Sequence, residues 1–336
     1  MNRWNQATKL KWITVLLSAA LIVIIARMTA IGSYIEDTKA AAVWSNAFLQ
    51  EDRTVMTETE LMQRIEEAAA DKRVAPIDAR IDRVWKAIPG YNGLEVDIEH
   101  TLKQNESKRA DQQIAYVMKE VKPRVTLDQL PPAEIYRGNE QKPAVGLMIN
   151  VAWGNEFVRP MLDTLKQEGV KATFFFDGSW VKKNPELAKE IAAEGHEIGN
   201  HAYSHPNMNE LSEGRQYQEI EKTKKIINET IGEHSQWFAP PSGAFNSLTV
   251  KTANQLGLKT VLWTVDTIDW KKPSPGTVVS RVRNKVGAGS LILMHPTASS
   301  SAALSDMIGV IRQKELVPGT VSEALSEDRL KRTKVE

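Results

Sequence analysis

The 336-residue chain has no cysteine, which excludes disulfides, thiolate zinc sites and a cysteine nucleophile. It also lacks a charge excess: 43 Lys and Arg face 42 Asp and Glu, for a net charge of +1. No basic block is present to neutralise phosphates, so no nucleic-acid partner is expected. Long apolar runs are absent with one exception, Trp12–Ala26, "WITVLLSAALIVIIA". The remainder is ordinary globular material, 42% apolar and 25% charged, enough for one large domain or a large and a small one.

Arg3, Lys9 and Lys11 precede the apolar run, and Arg27 interrupts it before "MTAIG" continues to Gly32. Its 15 residues fall short of the roughly 20 that span a bilayer, but Arg27 can snorkel and extend the span to Gly32. Residues 1–32 are therefore expected to be a membrane anchor, with the N-terminus in the cytoplasm and the ectodomain outside. The alternative is a cleaved signal segment and a secreted ectodomain, although the small residues Ala40–Ala42 lie too far beyond the run for a convincing cleavage site. A buried core helix is a third reading, and the basic terminal flank argues against it.

Residues 33–142 read as a polar linker and a small α/β module. "TETELMQRIEEAAADKR" predicts a helix capped by Thr57 or Thr59. In "APIDARIDRVWKAIPGYNG", Ile77, Ile81, Val84, Trp85 and Ile88 recur at helical spacing, with Pro89 and Gly90 as the stop. "LEVDIEH" and "IAYVMKEV" alternate as strands. The acids and bases here are scattered as on a solvated face.

From residue 143 to 325 a regular alternation sets in. The strand "AVGLMINVAW" precedes the helix "EFVRPMLDTLKQE", which ends at Gly169. "VKATFFF" is followed by "NPELAKEIAAE", with Asn184 as N-cap and Pro185 at the first helical position. Then come extended "HEIGNH", a helix over 213–231 closed by Gly232, extended "QWFAPP" and a helix over 247–256. The strand "LKTVLWTV", a helix near 277–286, the strand "GSLILMHP" and a helix over 301–315 complete the series. Continuously apolar strands separated by helices predict a parallel sheet covered on both faces. The fold class is α/β, with closure toward a distorted (β/α) barrel, and the charged tail 326–336 is expected to fray.

Unusual polar residues follow the strand ends. His201 and His205 come after "EIGN", the turn "APPSGAFN" after Trp237 and Phe238, Asp266 and Asp269 in "DTIDW", and His295 after "LILM". In barrels of parallel strands that rim carries the active site. Taken singly, each has a bland reading: a surface or capping His pair, an Asp bracing its loop, a Trp filling core. Their convergence on one rim is the signal. An ion held by two neutral imidazoles needs an anionic third ligand and an open position for water, with a base and a general acid nearby.

The segment 143–325 resembles the polysaccharide deacetylases, the NodB-homology carbohydrate esterases, through "GNHAYSHP", "FAPPSGAFN", "DTIDW" and "LMH". The anchored layout is similar to that of membrane-anchored members of this family. The resemblance implies a distorted barrel that uses Zn²⁺ or another divalent ion to remove acetyl groups from N-acetylated cell-wall glycan. It implies His201 and His205 as metal ligands, His295 as general acid oriented by Asp269, and the Ser242 backbone N–H turned toward the oxyanion. It also implies two carboxylates after the first strand and an Arg opening the third motif. Aligned through Gly154, the chain reads "NVAWG": the base position is Ala152, the ligand position is Trp153, and the Arg position is Ala239. Base and tether are thus absent together, and an unpaired Arg in a closed site would have cost several kcal/mol, on the order of 3–5. Ser242 stands where the family has Tyr, and Ala202 where it has Ser or Thr.

Three readings follow. A deacetylase with a rebuilt site would draw on Asp177, Asn150 or Asn155. A non-catalytic glycan binder would use Trp153, Tyr203, Trp270 and Trp180 as stacking surfaces. A structural platform would leave the work to residues 33–142.

Overall fold

The computed structural model describes residues 6–28 and 55–330. The continuation of the expected anchor to Gly32, the linker 33–54 and the tail beyond residue 330 lie outside the described residues. The chain divides into two compact units, Met1–Lys72 with Val96–Met118, and Arg73–Glu95 with Lys119–Glu336.

The smaller unit contains the helices Gln6–Met28, Glu58–Lys72 and Ile98–Asn105. Thr57 opens the second as the sequence predicts: its hydroxyl accepts from Glu60 N–H at 3.3 Å while the Glu60 carboxylate accepts from Thr57 N–H at 2.8 Å. Met56, Leu61, Ile65 and Val96 form the buried centre of this unit. Among the described residues, no helix is long and apolar enough to cross a membrane. The described part of the expected anchor is the helix Gln6–Met28, whose apolar run lies between Lys11 and Arg27; the expected continuation to Gly32 falls outside the described residues.

In the larger unit the helix predicted over residues 77–88 is instead a hairpin, β1 (Arg80–Asp82) paired antiparallel with β2 (Lys86–Ile88). The Asp82 carboxylate accepts from the N–H groups of Val84 and Trp85 at 2.7 and 2.8 Å, and Lys86 takes φ +57°. That side-chain turn competes with helix formation and wins. β3 (Gly93–Val96) and β4 (Met118–Val121) mark where the chain passes between the units.

The large sheet comprises β5 (Ala144–Val151), β6 (Thr173–Phe176), β7 (Glu197–Asn200), β8 (Trp237–Phe238), β9 (Lys259–Thr260), β10 (Val265–Asp266), β11 (Leu291–Met294) and β12 (Val317–Gly319). All pairings are parallel, in the order β10-β11-β5-β6-β7-β8-β9, with β12 against the start of β5. β5 is buried along its whole length. Val145, Leu147, Ile149 and Val151 pack outward against Val158, Met161 and Leu165 of the helix Asn155–Gln167. Ala144 and Met148 pack inward with Phe175, Trp237, Ala239, Val261 and Leu291. Each fully buried aliphatic side chain contributes about 1.5–3 kcal/mol, which fixes the register. The same two-residue period puts Asn150 and Ala152 on the inward face at the mouth.

The sheet curls without β9 and β10 pairing each other. The strand predicted over 258–265 is split because its two halves serve different partners. Val261 N–H donates to Phe238 O, and Leu262 N–H to Ile135 O at 2.8 Å, whereas β10 pairs with β11. Ile135 sits at the β9 edge and Arg137 bridges to Ser290 just before β11, so the segment 135–137 laces the gap. Buried Lys142 donates to the Ser326 carbonyl at 2.7 Å, and burial lowers its pKa to about 8 against the pull of Asp328 and Glu323. Glu327 accepts from Leu127 N–H and Arg329 donates to Asn92 O, so residues 326–329 are anchored where the sequence suggested fraying.

Candidate functional site

The C-terminal ends of β5, β7, β8, β10 and β11 converge on a cavity of about 410 Å³. It brings together Trp153, His201, His205, Ser242, Trp270 and His295, with Asn150, Ala152 and Asp266. Trp263 and Leu293 complete it.

His201 follows β7 and is buried. Its Nδ1 lies 2.7 Å from the Ala239 carbonyl. A carbonyl only accepts, so Nδ1 carries the proton and Nε2 is left with a lone pair. Burial, reinforced by His205, drives the His201 pKa down to about 3 although the Ala239 carbonyl favours the charged form. The His205 ring stands edge-on to it, centroids 5.1 Å apart at 73°. Ala202 and His205 both take left-handed backbone, φ +60° and +56°, at a cost of about 1–3 kcal/mol each. What holds this loop is a pair of side chains that sequence reading passed over. The Glu219 carboxylate, from the helix Glu213–Ile231, accepts from the N–H groups of Tyr203 and Ser204 at 3.0 and 2.8 Å and from the Ser204 hydroxyl. Asn200 accepts from Ala202 N–H and donates to Ile220 O. The Asn before His201, and a Glu on a helix face that turns inward, were the available signals.

Asp269 is fully buried, and Oδ1 accepts from His295 Nδ1 at 2.8 Å. Oδ2 accepts from His295 N–H at 2.6 Å and from the Ser300 hydroxyl. Burial alone would raise its pKa; the His295 and Ser300 hydrogen bonds, with the His295 charge, hold it below the usual carboxylate range. His295 is thereby oriented with Nε2 free. Asp266 braces its own loop, its Oδ1 accepting from Ile268 N–H at 2.7 Å.

Among the described residues, the other side of the cavity lining has no carboxylate. The Trp153 ring, 46% exposed, stacks on His295 with centroids 5.8 Å apart and planes 8° from parallel. Ala239 is fully buried in the inward cluster and contributes only its carbonyl. Of the three candidate replacements, Asn150 lines the cavity as an uncharged amide, and Asp177 and Asn155 are committed elsewhere. Asp177 caps the helix Gly178–Lys183, accepting from Trp180 N–H at 2.8 Å and the Ser179 hydroxyl at 2.6 Å, and burial raises its pKa. Asn155 binds Asn184 and the Trp180 indole N–H. Trp180 is itself buried against Phe176, 5.2 Å between ring centroids, and Tyr203 lies beneath Lys222 away from the cavity lining.

Among the described residues no three His, Cys, Asp or Glu side chains group to hold a metal ion. Two imidazoles without an anionic partner do not fit the hard divalent ion that the motifs imply. The expectation of a bound divalent ion, with His201 and His205 as ligands, is therefore not met by this donor set.

A curled parallel sheet with a His pair and an Asp–His pair on its C-terminal rim defines a carbohydrate-esterase scaffold, and the chain belongs to the polysaccharide deacetylase family. The pattern described as Polysaccharide deacetylase matches residues 137–261. The chain is 47% identical over 270 residues to YlxY of Bacillus subtilis (strain 168), covering 80% of this chain and 85% of that protein. It is 39% identical over 165 residues to the peptidoglycan-N-acetylglucosamine deacetylase of Bacillus cereus, covering 49% of this chain and 60% of the relative. Among solved structures, BA3943 of Bacillus anthracis, described as a CE4 family pseudoenzyme, superposes with a TM-score of 0.75 at 44% identity, over 80% of this chain and 96% of that one. A mutant of BA3943 is described as having restored enzymatic activity.

Proposed function

We propose that the protein is a non-catalytic member of its family that binds cell-wall glycan. The carrying observation is Trp153, stacked on His295 in the position where a ligand carboxylate is required. Three indoles, Trp153, Trp263 and Trp270, line a cavity of a size suited to sugar rings. Peptidoglycan as the glycan is supported by the substrate named for the Bacillus cereus relative. The test is metal content and acetate release on N-acetylated glycan, paired with binding of cell-wall fragments. The reading requires no stoichiometric metal, no acetate, and binding that Trp270→Ala abolishes. Stoichiometric metal with acetate release would overturn it.

Residual hydrolysis is the second reading, favoured by the intact Asp269–His295 pair. The site of action we place on the outer face of the cell membrane. The basic residues ahead of the apolar run support this, as do Trp12, Leu16, Leu17 and Ile22, which stand exposed along the helix Gln6–Met28. Fractionation that leaves the full chain in the soluble cytoplasmic pool would exclude it.

A further inference from the structure

The cavity holds acceptors with spare capacity. His201 Nε2 is an acceptor, because Nδ1–H is committed to the Ala239 carbonyl. Among the hydrogen bonds of the described residues, Asp266 is engaged through Oδ1 by Ile268 N–H, leaving carboxylate capacity at the lining. Asn150 is 4% exposed, lines the cavity and has its amide oxygen without a partner, an orphan that costs about 1–3 kcal/mol until a donor arrives. Among the described residues no Lys or Arg lines the cavity, and the walls include Trp263 and Trp270.

Such a lining offers a carboxylate, an unpartnered amide oxygen and aromatic faces, with no fixed cation among its residues. An N-acetyl group brings a carbonyl that needs a donor. A free amine on the same sugar brings an ammonium with three donors and a positive charge, complementary to Asp266, Asn150 and the indoles. We infer that the cavity recognises the de-N-acetylated amino sugar, the product of active deacetylases, in preference to the N-acetylated form. This rests on the glycan-binding reading and specifies its ligand.

The experiment is isothermal titration of the full chain in detergent with two probes, a glucosamine tetramer and an N-acetylglucosamine tetramer. The expected result is about tenfold tighter binding of the amine. Asp266→Asn keeps the Oδ1 acceptor for Ile268 N–H, and should lower amine affinity by about tenfold while leaving the acetylated probe unchanged. Equal or tighter binding of the acetylated tetramer, or an Asp266→Asn variant with undiminished amine preference, would overturn the inference and leave glycan binding standing. Binding of neither probe would overturn the glycan reading itself.

Discussion

The two sides of one rim have opposite histories written in their side chains. On the β10–β11 side, both oxygens of the Asp269 carboxylate are paired: they take the His295 ring Nδ1–H, the His295 backbone N–H and the Ser300 hydroxyl. On the β5–β8 side, Ala152, Trp153 and Ala239 carry no charge at all. The difference teaches that a buried ionic group persists where its own neighbours satisfy it. It is dispensable where its partner was a metal or another charge, since removal of one member leaves the other uncompensated.

The strongest way to break the comparison is to refill the empty side. The triple variant Ala152→Asp, Trp153→Asp, Ala239→Arg should bind about one zinc per chain and raise acetate release by a factor on the order of 10³, the scale of a restored base on a metal-bound water. Trp153→Asp alone should gain metal without turnover, because the base is still missing. Metal analysis and acetate assay on both variants decide it. A wild-type chain that already matches the triple variant would end the claim that this side is silent.

Next in size is the paired side. Asp269→Ala should cost about 3 kcal/mol in urea unfolding, because it strands the His295 and Ser300 donors, while Ala152→Ser stays within about 0.5 kcal/mol. The folded Asp269 pKa is depressed, so its stabilisation is present above the unfolded value near 4 and is lost as pH falls through the lower folded value. A loss no larger than that of Ala152→Ser would mean that the pair is kept for something other than its own hydrogen bonds.

A third effect separates two buried histidines, His201 in the site and His196 outside it, with pKa values lowered to about 3 and about 4, burial the first cause in each. Both are neutral when folded and bind protons more readily when unfolded. Stability should therefore be full above about pH 6.5 and fall on acidification toward those lowered values, by up to about 1.4 kcal/mol per pH unit for each group. His201→Gln should roughly halve the slope between pH 6 and 4.5 in denaturant titrations. An unchanged slope would show that His201 is not held neutral by its burial.

Much of this was legible in the sequence, for physical reasons that differ by element. Continuous apolar strands such as Ala144–Val151 announce a parallel sheet because both faces are covered. The helix Glu213–Ile231 ends where read because Gly232 takes the left-handed cap, φ +73°. The hairpin β1–β2 was misread because Ile81, Val84 and Trp85 match helical spacing, while the Asp82 side chain settles the turn. The His pair and the Asp269–His295 pair were visible as motifs. Trp263, Glu219 and Asn200 were not, since their roles depend on which face of a bent strand, buried helix or strand end they occupy.

The smallest effect is also the sharpest test of what Trp153 does. A Trp that fills core should cost about 3–5 kcal/mol when cut to Ala. Trp153 is 46% exposed and its visible partner is the face of His295. Trp153→Ala should therefore cost only about 0.5–1.5 kcal/mol, the value of one stacked contact. The emptied place should still bind no zinc, because the variant adds no ligand oxygen. Glycan affinity, measured beside stability, then divides the two roles. A drop in binding with a small stability loss makes the indole a platform for sugar, whereas a large stability loss makes it packing and moves the recognition surface to Trp263 and Trp270.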